Sequence, residues 1–157
     1  MLLDVCAHKG ERALPAKYAI TADDLTSCAA AQKVEVRAGD VLLVRTGYAP
    51  LWNDEAAYLR AAGVGKSGTL WAADRGVVAV GADNMAWDAP DDRDPETGAT
   101  LFAHVYLLPQ KGVYIIENVN LEELARDRAW VFGFIAAPLK LKGATGSPLR
   151  PLALAGE

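Results

Sequence analysis

The sequence has 157 residues, carries 16 lysines and arginines against 20 aspartates and glutamates, and has a formal charge of −4. This mildly acidic balance argues against a nucleic-acid-binding protein, because phosphate contacts need a basic surface. With 52% apolar residues and no stretch of about 18 consecutive apolar residues, we expect one folded domain over residues 1–157, without a membrane span.

Cysteine and histidine are both rare in this chain. The N-terminal residues lack the basic and long apolar segments of a signal peptide, so we expect a cytoplasmic protein. We interpret Cys6 and Cys28 as buried free thiols in that reducing compartment. His8 and His104 are the only histidines in the sequence, and any metal site formed by this chain must therefore also use carboxylates.

Short apolar runs alternate with helix-like segments along the chain, which is typical of the α/β class. In chain order, the predicted elements are a strand at 2–5, a helix at 22–32, strands at 34–37 and 41–44, helices at 54–62 and 67–74, a strand at 77–80, a helix at 101–108, a strand at 113–116, a helix from 120, and strands at 130–136 and 149–154. A long loop with six acidic side chains is predicted at 83–98.

Three predicted helices carry recognisable N-terminal signals. Thr21 is a good N-cap for the helix at 22–32, and Ser67 is the predicted cap of the helix that follows it to residue 74. Asn120, with Glu123 three residues later, predicts a capping box. Continuous apolar runs further predict strands that are buried on both faces, at 41–44, 77–80 and 113–116.

The most informative chemistry lies between residues 104 and 117. His104 is placed on a short predicted helix, and Glu117 ends an otherwise apolar strand, where α/β proteins commonly bind ligands. An imidazole and a carboxylate together suit zinc, manganese or ferrous iron. The spacing permits a shared site but does not require one. The alternative is a hydrogen-bonded core histidine and a glutamate that caps the next helix or faces solvent.

Two further positions have a functional and a structural interpretation. His8, beside Lys9, is either part of a solvated loop or a substrate contact or proton shuttle. Asp83, just after a predicted strand, either holds a ligand or caps the next turn. The sequence alone identifies no catalytic or substrate-binding residue.

Several segments in a fixed order resemble the C-terminal half of the cyclase-like metal-dependent hydrolases, a family that includes bacterial kynurenine formamidases and isatin hydrolases. The resemblance covers nearly the whole chain. It is carried by residues 2–5 with 8–10, by Gly-Asp-Val-Leu-Leu-Val-Arg-Thr-Gly at 39–47, by Arg-Gly-Val-Val-Ala-Val-Gly-Ala-Asp at 75–83, by 104–117, and by 138–140 with Thr-Gly-Ser-Pro-Leu-Arg-Pro-Leu at 145–152.

The resemblance implies a mixed sheet with flanking helices, of the swivelling β/β/α type. It implies an arylformamidase-like amidohydrolase that opens the C–N bond of a formamide or cyclic amide with water activated by a divalent metal, usually zinc or manganese. His104 and Glu117 stand at the positions of two family metal ligands. A small-molecule amide substrate and a homodimer or larger assembly are also implied.

One departure from the family is clear, because the sequence contains no His-x-Gly-Thr-His-x-Asp motif. That motif supplies the other ligands in the family, so we expect a fold that is incomplete at its N-terminus, half a ligand set, and weak or absent metal binding by this chain alone. The alternative function is a non-catalytic, truncated domain that serves oligomerisation or binding. A third alternative is an unrelated α/β domain in which His104 is a core residue.

Overall fold

A computed structural model describes residues 1–156 of the chain. The strands are β1 (Leu2–Asp4), β2 (Ala19–Ile20), β3 (Val41–Arg45), β4 (Gly63–Val64), β5 (Ala79–Ala82), β6 (Tyr114–Ile116), β7 (Gly133–Ile135) and β8 (Leu152–Leu154). The α-helices are α1 (Val5–His8), α2 (Ala22–Gln32), α3 (Glu55–Tyr58), α4 (Lys66–Asp74), α5 (Phe102–Tyr106) and α6 (Glu122–Arg126). A π-helical turn, Leu107–Lys111, continues α5.

The central sheet has four strands in the order β1-β3-β5-β6, and every neighbouring pair is parallel. One row across it joins Leu2, Leu43, Gly81 and Ile116. A Cβ at position 81 would lie 2.8 Å from Cδ2 of Leu43 and 3.1 Å from the backbone oxygen of Ile116, so a larger residue here would require its neighbours to shift. Because all neighbouring strands are parallel, the carboxyl ends of the four strands lie along one edge of the sheet.

The two faces of this sheet are covered by different parts of the chain. Alternate residues such as Leu3, Leu42 and Val44 belong to the larger core, which also includes Leu25 from α2. The opposite face carries Leu2 and Leu43, against which Val119, Leu121, Trp130, Phe132 and Phe134 pack. Helices therefore cover one face, and the segment after β6 covers the other.

The predicted α/β class with flanking helices is confirmed. The remaining strands lie outside the central sheet: β2 pairs in parallel with β4, and β7 pairs antiparallel with β8. Cys6 and Cys28 are buried free thiols, as predicted. The run at 113–116 is not buried on both faces, because β6 is an edge strand and its Tyr114 is 70% exposed.

Of the three helix N-terminal signals predicted from the sequence, only the N-cap Thr21 is confirmed. Thr21 caps α2 in a capping box with Asp24. The Ser67 cap was wrong, since α4 begins at Lys66 after Gly65, and the Ser67 hydroxyl instead accepts a hydrogen bond from the backbone of residue 22. The capping box at Asn120 was also wrong: α6 starts at residue 122, whose N–H donates to the Asn120 side chain.

Several boundaries differ from the sequence-based expectation. The helix predicted at 54–62 covers only α3, because the chain then extends to form β4 beside β2. Residues 34–37 form no strand in the described chain, and Arg37 instead donates its backbone N–H to the Asp40 carboxylate. A short helix, α1, begins at the last residue of the strand predicted at 2–5 and includes His8, for which a loop was one interpretation; Asp4 caps it by accepting from the N–H of Ala7. These changes all follow from pairing with distant residues or from local side-chain caps.

Candidate metal centre

His104 and Glu117 lie side by side near the carboxyl edge of the central sheet. His104 is the third residue of α5, and Glu117 directly follows β6. Nε2 of His104 is 3.2 Å from Oε1 of Glu117. The two side chains are 28% and 39% exposed, so a solvent ion can reach them.

Asp88 holds the other side of the imidazole, a contact that sequence reasoning missed. Its carboxylate is almost fully buried and accepts hydrogen bonds from Nδ1 of His104 at 2.8 Å and from the backbone N–H of Ala103 at 2.7 Å. The bond to Asp88 raises the pKa of His104 against the effect of burial, and Glu117 raises it further. In the sequence, Asp88 is one of six acidic residues in the 83–98 loop, and nothing local distinguishes it.

The buried side chain of Asn84 builds the turn that carries Asp88. Its amide donates to the carbonyls of Ala62, Trp87 and Asp88 at 3.0–3.3 Å, and its oxygen accepts from the N–H of Trp87 at 2.8 Å. Trp87 has a φ of 62°, in the left-handed region, which this bonding helps to stabilise. The turn thus fixes the carboxylate that contacts His104.

The backbone immediately after Glu117 is held by residues from two other elements. Asn118 has a φ of 58° and donates its N–H to the carbonyl of Asn84 at 2.8 Å. The buried Tyr58 hydroxyl donates to the Asn118 side chain and to the carbonyl of Asp83. Burial raises the pKa of Tyr58 to about 12, so the hydroxyl keeps its proton at neutral pH.

Nε2 of His104 and Oε1 of Glu117 are placed so that both could bind one divalent cation and occupy part of its coordination shell. Ligands at ~2.0–2.2 Å from a tetrahedral zinc ion lie roughly 3.3–3.6 Å apart, close to the observed separation of Nε2 and Oε1. A metal-binding histidine commonly donates its other ring N–H to a carboxylate, as His104 can to Asp88. Within residues 1–156, no group of three or more histidine, cysteine, aspartate or glutamate side chains is arranged to hold a metal. The candidate site in the described residues therefore consists of His104 and Glu117.

Asp83 neither joins His104 and Glu117 nor caps the turn that follows it. Its fully buried carboxylate accepts four hydrogen bonds from the loop after β3: from the backbone N–H groups of Thr46, Gly47 and Tyr48, and from the Thr46 hydroxyl. Burial raises the pKa of Asp83, and these donors act in the opposite direction. Its role is to join the ends of β3 and β5.

His8 and Lys9 contact α2. Nε2 of His8 is 3.1 Å from the Ser27 hydroxyl, and the Lys9 ammonium is 2.6 Å from the Asp24 carboxylate. Both side chains belong to exposed residues, as the solvated interpretation of this pair predicted. They do not take part in the arrangement around His104.

An ion-pair network occupies the carboxyl ends of β1 and β3. Arg45 makes a bidentate contact with Glu122 at 2.7 and 2.9 Å and also contacts Asp4 at 3.0 Å. Two clefts, of about 260 and 440 Å³, both have Arg45 and Glu122 in their walls. The Cys6 thiol beside Arg45 has a pKa raised by burial, so it is not an activated nucleophile.

Comparison with known proteins decides the family. The family model Cyclase, described as "Putative cyclase", matches residues 1–89, which is more than half of the chain. The chain belongs to the cyclase family. The resemblance inferred from the sequence is thereby confirmed.

Individual cyclase-family relatives match over different lengths. The kynurenine formamidase of Bacillus cereus (strain ATCC 10987 / NRS 248) is 35% identical over 77 residues, a match that covers 49% of this chain and 32% of the formamidase. The crystal structure of a novel cyclase superimposes with a TM-score of 0.84 at 37% identity, covering 98% of this chain and 52% of that one. Isatin hydrolase A from Ralstonia solanacearum superimposes with a TM-score of 0.80 at 25% identity, covering 99% and 59%.

This cyclase-family chain thus spans between about a third and three fifths of the length of these relatives. Its central sheet and the segments around it share the cyclase fold. Among the helices formed by residues 1–156, none combines the length and the apolar character needed to cross a bilayer.

Proposed function

We propose that His104 and Glu117 are two ligands of a divalent metal ion, and that the chain takes part in metal-dependent hydrolysis of a C–N amide bond. The observation that carries the proposal is the pairing of Nε2 of His104 with Oε1 of Glu117 at 3.2 Å, with Asp88 bound to the opposite ring nitrogen. A core histidine would not need an anionic partner on each side, one of them exposed.

The hydrogen bonds around His104 suit a metal-binding role. The Asp88 carboxylate is an acceptor only, so it keeps a proton on Nδ1 and leaves Nε2 as the ring nitrogen that can exchange its proton for a cation beside Glu117. Glu117 supplies negative charge where a cation would sit. A bound zinc or manganese ion would lower the pKa of a water molecule and polarise an amide carbonyl.

The proposed substrates are a formamide or a cyclic amide, because the relatives are named kynurenine formamidase and isatin hydrolase. Two ligands do not make a catalytic site, which normally has three or more. We propose that a second chain supplies the remaining ligands and the general base, and that this chain itself forms a homodimer or larger assembly. Exposed apolar side chains near and on the β7–β8 pair support such an assembly, among them Val131, Ile135, Leu152 and Leu154.

The test removes both ligands together. The variant His104→Ala/Glu117→Ala should lose zinc and manganese binding, measured by equilibrium dialysis at metal concentrations high enough to load a weak site in the wild type. The matched control is His8→Ala/Glu11→Ala, which removes an exposed histidine and glutamate elsewhere and should retain the metal. Unchanged metal stoichiometry in the His104/Glu117 variant would overturn the ligand assignment.

A second candidate function is a non-catalytic domain that serves oligomerisation or binding. It is favoured by the finding of only two suitable ligands within the described residues and by the exposed apolar side chains of the β7–β8 region. Assays of the metal-loaded protein with an aryl formamide and a cyclic amide separate the two candidates. Self-association without turnover of either substrate would favour the non-catalytic function.

A further inference from the structure

We propose that Tyr58 is a positioning residue for Glu117 and acts through Asn118. The inference rests on the proposed metal-binding role of Glu117. It assigns a role in the site to the short helix α3, which contributes no ligand and lies about 60 residues earlier in the chain.

The backbone conformation of Asn118 decides where the chain turns after Glu117. Its φ of 58° lies in the left-handed region, which asparagine tolerates better than most residues other than glycine. The N–H of Asn118 donates to the carbonyl of Asn84, and the N–H of Val119 donates to the carbonyl of Ala82. Both bonds attach this turn to β5 and to the loop after it.

Tyr58 fixes the side chain of the same residue. Its hydroxyl is 2.8 Å from Oδ1 of Asn118 and 3.1 Å from the carbonyl oxygen of Asp83, and its single proton is shared between these two acceptors. The Tyr58 side chain is itself well held, since the residue is 6% exposed and the Trp52 ring packs edge-on against it at 5.2 Å. The hydroxyl therefore connects a rigid part of the core to the turn.

Glu117 needs this support because few contacts hold it directly. Its side chain is 39% exposed, and within residues 1–156 its carboxylate has one hydrogen-bond partner, Nε2 of His104. The carboxylate can stay near that nitrogen only while the backbone on either side of it keeps its direction. Asn118 is the residue that directly follows Glu117, so its conformation sets the backbone direction on that side.

The test compares two buried tyrosines whose hydroxyl groups bond to different residues, Tyr58 to Asn118 and Tyr48 to Leu14. Tyr58→Phe removes the bond to Asn118. The control Tyr48→Phe removes a similar bond, since the Tyr48 hydroxyl donates to the carbonyl of Leu14 at 3.1 Å and the residue is 5% exposed. Two quantities are measured in each variant: amide hydrogen exchange at residues 118 and 119 by NMR, and zinc affinity by calorimetry.

In Tyr58→Phe, we expect exchange at residues 118 and 119 to rise about tenfold relative to the rest of the core, as the loss of one hydrogen bond predicts. Zinc affinity should fall about tenfold, at the lower end of the range for residues that support metal ligands. Tyr48→Phe should change neither quantity. Equal exchange at residues 118 and 119 in the two variants would overturn the proposal.

A second variant shows whether Tyr58 acts through Asn118. Asn118→Gly keeps the left-handed backbone accessible and removes the acceptor, so alone it should reproduce the effects of Tyr58→Phe. The double variant Tyr58→Phe/Asn118→Gly should be no worse than Asn118→Gly. Additive losses would mean that Tyr58 acts by another route and would also overturn the proposal. Asn118→Gly takes the place of Tyr58→Phe if the latter does not fold.

These measurements separate this proposal from the metal proposal. If the wild-type protein takes up no zinc, the ligand assignment fails, and the exchange rates still decide whether Tyr58 positions the turn. If the wild type binds zinc and Tyr58→Phe binds it equally well with unchanged exchange, the ligand assignment stands and the positioning role fails.

Discussion

Replacing Asp88 with asparagine should move the proton on the His104 ring. In the wild type, one carboxylate oxygen of Asp88 accepts from Nδ1 of His104 and the other accepts from the N–H of Ala103. An asparagine of the same shape has one oxygen, and the Ala103 N–H requires it as an acceptor. The NH₂ group then faces Nδ1, which must give up its proton, so the neutral ring carries its proton on Nε2, pointing at Glu117.

This change has two measurable costs. A protonated Nε2 has no lone pair for a metal, and we expect zinc affinity to fall about 10–100-fold, or ~1.4–2.7 kcal/mol. The charge-assisted bond to His104 is also replaced by a neutral one, and we expect the free energy of unfolding to fall by about 1 kcal/mol. The mostly buried position of both side chains, 5% and 28% exposed, makes this bond stronger than a surface pair.

The tautomer can be observed directly by nitrogen NMR of histidine-labelled protein at a pH where the ring is neutral. The chain has only two histidines, so the His104 signals can be assigned by comparison with His8→Gln. Calorimetric zinc titration gives the affinity, with Asp74→Asn, an exposed carboxylate on α4, as the control. An Asp88→Asn protein with the proton still on Nδ1 and with wild-type zinc affinity would refute the reasoning.

Two further predictions concern stability. A Cβ at Gly63 would overlap the backbone of Asp88, so Gly63→Ala should lower the free energy of unfolding by about 1–3 kcal/mol in denaturant titrations, whereas Gly146→Ala, with open space around it, should have no effect. Lys66 holds the pKa of Asp94 at about 2, below its usual 3.8, so stability from this pair is present above pH 3.8 and is lost as the pH falls towards about 2. Asp94→Asn should flatten the stability profile over that acid range, and a profile identical to wild type would contradict the assignment.

The sequence alone was enough to predict the features that depend on residues close to one another along the chain. The capping box of Thr21 and Asp24 fixed the start of α2, because both partners lie within one helical turn. The continuous apolar run at 41–44 identified β3, since a central parallel strand is buried on both faces. The placement of His104 on a helix and of Glu117 after a strand was likewise readable, as was the family resemblance.

Tertiary structure alone decided which of these residues meet. Asp88 looks like any other acid of its loop, and becomes the partner of His104, 16 residues away, only because Asn84 shapes the turn that carries it. The contact between Tyr58 and Asn118 spans 60 residues and joins the end of α3 to the end of β6. Such contacts depend on the packing of whole elements against one another, and a local pattern of residues carries no information about that packing.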